Sequence, residues 1–161
     1  MRRPPWIPAC AGMTSIMVAL ATLASPLAAA AGDEEVIVRP AFALLPSTTQ
    51  LQAAKKFGKD LMDKAEKAGR PALPHVAMEG STTLISLESV AICDRDNGCP
   101  LLVFRDITQK PVLVTASFQN VAIIYRGAKT FLVLKSVGPD RECLLPPAGS
   151  RAKCAVVKKA R

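Results

Sequence analysis

Cys93, Cys99, Cys143 and Cys154 restrict this chain more than any other feature of it. The first two bracket Asp94-Arg95-Asp96-Asn97-Gly98, and the second two bracket a loop containing Pro146-Pro147-Ala148-Gly149-Ser150. Both loops are polar or turn-forming, and both are flanked by strand-like residues. Four cysteines allow three pairings, and this placement favours Cys93–Cys99 with Cys143–Cys154. Closing loops this short stabilises a fold by roughly 2–3 kcal/mol each. Neither pair has the short gap of a structural zinc site, and there is no C-x-x-C redox pair or neighbouring base to activate a thiol. The cysteines are therefore read as two structural disulfides, with no metal and no cofactor expected. Such bridges persist outside reducing compartments.

A fifth cysteine, Cys10, lies in what reads as a leader. Arg2 and Arg3 precede an apolar, alanine-rich run from Ile16 to Leu27, and the small residues Ala28 to Ala31 follow it. The run is shorter than the roughly 20 residues that span a bilayer, and it has the length and cleavage context of a signal peptide. Residues 1–31 are assigned to that peptide, with the mature chain starting at Ala31 or Gly32. Removing Cys10 leaves the even number that two disulfides require. The stretch Arg2 to Thr14, RRPPWIPACAGMT, resembles the translated interspersed repeats that precede many proteobacterial reading frames. That resemblance implies a start at Met13 or Met17, with residues 1–12 untranslated. It also argues against Cys10 as a lipid-bearing cysteine, which no hydrophobic run precedes.

Without residues 1–31 the chain keeps 19 of its 21 basic residues against 13 acidic ones, a net charge of about +6. Residues 32–161 suit one domain with one core. Arg151, Lys153, Lys158, Lys159 and Arg161 make its C-terminal end basic. Such an end can meet nucleic acid, anionic lipid or an acidic partner. Export removes nucleic acid from the expected partners, and the mature chain holds no expected transmembrane segment.

The pattern along the chain predicts an α+β fold. Glu35 to Val38 reads as a short edge strand. Ser47 and Gln50 form a capping box, and Leu51, Ala54, Phe57, Leu61, Ala65 and Ala68 follow as one apolar stripe. Gly69 suits the C-terminus, and Pro71 and Pro74 prevent continuation. Gly58 within this helix is expected to cost up to about 1 kcal/mol against alanine. From Thr82 onward short strand-like runs alternate with turns: 82–92, 100–104, 112–118, 121–125, 130–137, 143–145 and 154–157. Connections this short make neighbours antiparallel. The expectation is one amphipathic helix packed on an antiparallel β-meander with two disulfides.

His75 is the single histidine, beside Pro74 in the helix–strand connection. A small periplasmic hydrolase would have to be built on it, with Asp94 or Asp96 as the acid. No G-x-S-x-G elbow accompanies it. The acids of 94–96 also suggest a calcium loop, but a full one needs more oxygen ligands and a closing glutamate; Asn97-Gly98 fits a disulfide-closed hairpin tip better. A pinned tip loses little entropy on docking, which makes Arg95, Asp96 and Asn97 the first binding candidates. Arg126 and Lys129 in the next turn, and Arg151 and Lys153 in the second loop, join them.

The string Ile92 to Phe104, ICDRDNGCPLLVF, resembles the C-x5-C-P hairpin of small secreted alphaproteobacterial proteins. The likeness implies export and the first disulfide, and carries no activity. In general build the chain resembles the small disulfide-bonded periplasmic inhibitors of lysozyme, with no inhibitor motif matched. The expected function is that of a non-catalytic periplasmic or secreted binding protein, inhibitor-like or envelope-accessory, whose partner is a protein or another envelope component.

Overall fold

Ser47 opens the helical layer as its spacing predicts. Its side chain accepts the Gln50 backbone N–H at 3.3 Å, and the Gln50 side-chain Oε1 accepts the Ser47 N–H at 2.8 Å. This computed structural model describes residues 35–43 and 45–157. The signal-peptide assignment, and Lys158, Lys159 and Arg161 of the basic end, fall outside them.

One continuous helix was expected; there are two, α1 (Thr48–Phe57) and α2 (Lys59–Lys67). The break is at Gly58, and its cause is packing. A Cβ at this position would sit 2.7 Å from Leu87 Cδ1 and 2.8 Å from the Ala54 carbonyl oxygen. The chain kinks there so that both helices stay against the sheet. Gly58→Ala should therefore lower stability rather than raise it, by about 1–3 kcal/mol as overpacking does. Urea denaturation of the variant checks the sign. The helix ends at Gly69, whose φ of +68° turns the chain while the Arg70 N–H donates to the Ala65 carbonyl at 2.9 Å.

The strands are β1 (Glu35–Val38), β2 (Leu73–Glu79), β3 (Thr82–Glu88), β4 (Cys99–Phe104), β5 (Leu113–Arg126), β6 (Lys129–Lys135), β7 (Arg141–Leu145) and β8 (Lys153–Val156). Strands β2 to β8 are neighbours in chain order, and every pairing is antiparallel. The arrangement is not a simple meander, because β1 leaves that order to pair with β5. The 14-residue β5 makes this possible. Its first part pairs with β4, and its last part lies between β6 and β1. An irregular register between Phe118 and Ala122 separates the two parts. Gln119-Asn120, expected as a turn, lies inside this strand.

Alternation along β2, β3 and β4 divides the core in two. Val76, Ile85, Leu87, Leu102 and Phe104 pack against Ala53, Ala54 and Ala65 of the helices. Ala77, Leu84, Leu101 and Val103 point the other way and meet Val121, Ile123, Leu132, Leu134 and Cys143. The β2–β4 layer is therefore covered on both faces, and β3 is buried from Thr82 to Leu87. Each large aliphatic side chain so enclosed contributes roughly 1.5–3 kcal/mol. Both disulfides form as the spacing predicts, Cys93–Cys99 and Cys143–Cys154. Among the described residues no helix is long and apolar enough to cross a membrane.

Candidate functional site

The tip between Cys93 and Cys99 is held by more than its disulfide. Asp94 and Gly98 exchange two backbone hydrogen bonds of 2.8 Å. One Asp94 carboxylate oxygen accepts the N–H groups of Asp96 and Asn97 and the Asn97 side-chain amide, at 2.8–2.9 Å. The Val137 N–H donates to the Asp96 carbonyl at 2.7 Å and docks the tip on the β6–β7 connection. Asp96 and Asn97 line a cleft of about 410 Å³ there, with Ser136, Pro139 and Arg141 opposite. Arg95 is exposed on the tip and does not line that cleft.

Hydrogen bonds from Asn97 and Asp96 hold the Asp94 carboxyl below the usual carboxylate range. A depressed folded value contributes stability above the unfolded pKa, and that contribution is lost as pH falls through the folded one. The tip should thus loosen selectively on acidification below about pH 4. Amide exchange at Asn97 should speed up over that range, ahead of amides in β3.

Arg126 serves a different purpose. Its two terminal nitrogens donate to both Glu142 carboxylate oxygens at 2.9 Å, and its Nε donates to Glu35 at 2.6 Å. The guanidinium carbon lies 4.9 Å from the centre of the Phe131 ring. Glu142 first, and Glu35 second, raise its pKa further. Bidentate pairing of this kind is strong and directional, and it ties β1, β5 and β7 together. Lys129 is exposed at the start of β6, directly opposite Arg126. The cleft beside the tip lies past the far end of β6, so the structure does not bring Arg126 and Lys129 together with Asp96 and Asn97.

His75 belongs to β2, not to a connection. Pro74 precedes it there because β2 is an outer strand, paired among the described residues only with β3, where a residue without an N–H is tolerated. The acid beside His75 is Glu88, with Nε2 to Oε2 at 3.5 Å. Glu88 also accepts a hydrogen bond from the Gln119 amide. Among the described residues neither Asp94 nor Asp96 pairs with His75. Ser86 lies directly across from His75 on β3. Its hydroxyl is buried and has no hydrogen-bond partner among the described residues, so His75 does not take up its proton in this arrangement. An apolar groove of about 570 Å³ adjoins His75, walled by Phe42, Leu45, Leu51 and Leu73. No three His, Cys, Asp or Glu side chains among the described residues are placed to hold a metal ion.

A larger cleft, about 670 Å³, opens beside the second disulfide loop. Phe57, Val112 and Val114 line it together with Lys110 and Arg151. Lys153, the other basic candidate of this loop, lies exposed on β8. Lys110 was overlooked because Gln109-Lys110-Pro111 reads as an ordinary turn. No family model matches the chain, and neither does any curated protein or solved structure.

Proposed function

We propose that the protein acts outside the reducing cytoplasm, in the periplasm or secreted, as a non-catalytic binding protein. Its partner is a protein or another envelope component, engaged in an inhibitor-like or envelope-accessory role. The observation that carries this reading is the tip. Asp96 and Asn97 are fixed by a disulfide, an Asp94 cap and a bond from Val137 before any partner arrives. A surface ordered in advance loses little entropy on docking. Two disulfides in a domain of this size accord with an oxidising compartment.

The test has two arms. Intact mass of protein recovered from the periplasm or medium should give a chain starting at Ala31 or Gly32, about four daltons lighter than its reduced form. Immobilised oxidised protein should then retain one saturable envelope component. The Asp96→Ala/Asn97→Ala variant, which keeps the Asp94 carboxylate, should lose that component. Equal retention by wild type and variant would remove the tip from the binding surface. Free thiols in the recovered protein would remove the compartment.

A further inference from the structure

We propose that the cleft beside the Cys143–Cys154 loop binds an amphiphilic carboxylate of the fatty-acid type. The acid lies on Lys110 and Arg151, and the alkyl chain lies along Phe57, Pro111 and Val114. This inference rests on the reading of the protein as a binding module and names the ligand class of a second site on it.

The cleft, at about 670 Å³, is the size of a small-molecule site. Its charge is one-sided: Lys110 and Arg151 line it, and among the described residues no acidic side chain does. Arg126 is neutralised by Glu142 and Glu35, and Lys135 by Asp140. Lys110 and Arg151 make no ion pair and no side-chain hydrogen bond among the described residues. Two uncompensated cations in one concave site attract an anion, and the guanidinium fork matches a carboxylate.

The floor fixes the rest of the ligand. Val114 is 54% exposed although it lies on a strand, and Phe57 is only half-buried at the end of α1. Together with Pro111 they leave apolar surface uncovered next to the two cations. Such a floor rejects a polyanion, which would leave charge against hydrocarbon, and favours a single acid on an alkyl chain. The wall is prepared in advance. The Ala152 N–H donates to the Val112 carbonyl at 2.8 Å, and the disulfide closes the loop behind it.

Decanoate, below its micelle concentration, is the probe, with decanol, decyltrimethylammonium and a short apolar peptide bearing a free C-terminus beside it. Titration of the full oxidised protein, followed by amide chemical shifts, should show saturable one-to-one binding of decanoate. The shifts should centre on Val112 to Val114 and Gly149 to Ala152. Lys110→Glu/Arg151→Glu should keep its unfolding midpoint and lose decanoate affinity by about tenfold or more, as each tenfold is about 1.4 kcal/mol. Equal binding of decanol or the cationic amphiphile would overturn the role of the two cations. Tighter binding of the peptide would overturn the fatty-acid assignment. Absence of saturable decanoate binding, with the tip-dependent partner still retained, refutes this site alone. Loss of that partner as well refutes the wider reading.

Discussion

Gly98→Ala is expected to destabilise the folded protein by about 3–5 kcal/mol, among the larger effects a single substitution produces. Two costs combine. Gly98 has φ +83°, a conformation in which an alanine Cβ crowds its own backbone and costs roughly 1–2 kcal/mol. The second cost is steric and unyielding. The added Cβ would lie 2.3–2.5 Å from the Ser117 carbonyl carbon and oxygen and the Phe118 nitrogen. These are backbone atoms of β5, so no side chain can turn away to make room. The tip would have to lift off β5, breaking the Cys99–Ser117 register. Gly69→Ala is the internal control. Its φ is also positive, at +68°, but nothing lies within 4 Å of the new Cβ. It should cost only about 1 kcal/mol. Urea denaturation of both variants separates strain from collision; equal effects would mean that the tip does not press on β5.

The difference between these glycines also marks how far the sequence could be read. Asn97-Gly98 announced a tight turn with a positive φ, and the turn is there. That Gly98 also lies buried against β5 is a tertiary fact with no local signature. Gly58 teaches the same lesson with the opposite sign. Propensity marks it as a weak point of a helix, while in the fold it is the residue that lets Leu87 approach. The helix stripe, its capping box and both disulfide pairings were legible because each depends on residues close in sequence. Strand β2 was not. Pro71 and Pro74 read as punctuation, and only the position of β2 at the outside of the sheet makes Pro74 compatible with a strand. Continuity of β5 was hidden in a similar way. Gln119-Asn120 has the composition of a turn, but Ser117 bridges to the Lys135 backbone and Gln119 is held by Glu88. Long-range partners thus override the local preference.

The candidate surfaces follow the same division. Asp96 and Asn97 were legible because the cysteines on either side pin them. Arg126 was legible as a turn cation, but its engagement by Glu35 and Glu142 comes from strands 91 and 16 residues away in sequence. His75 drew notice as the sole histidine, whereas its actual neighbours, Glu88 and Ser86, required the β2–β3 register. The cleft of Lys110 and Arg151 joins the start of β5 to the second disulfide loop and the end of α1. Nothing in the spacing of these residues relates them.

Cys143→Ala/Cys154→Ala should cost about 3–4 kcal/mol and release one edge of the sheet. Opening a loop of 11-residue separation restores roughly 2.8 kcal/mol of chain entropy to the unfolded state. Cys143 is fully buried among Leu132 and Leu134, so losing its sulfur leaves a small void worth about 1 kcal/mol more. The location of the bridge decides where the effect appears. It joins directly opposed residues of β7 and β8. Among the described residues strand β8 has no neighbour on its other side, and all four of its residues are exposed. Little apolar burial is available to hold it in place of the bond. Hydrogen exchange of the double variant should therefore show β8 amides losing protection while those of β3 follow the lowered global stability. Cys93→Ala/Cys99→Ala gives the comparison. That loop is shorter, worth roughly 2.2 kcal/mol, and its tip keeps the Asp94 cap and the Val137 bond. The larger loss must come from the 143–154 pair. If the 93–99 pair costs more, the tip and not the sheet edge is the element that depends on covalent closure.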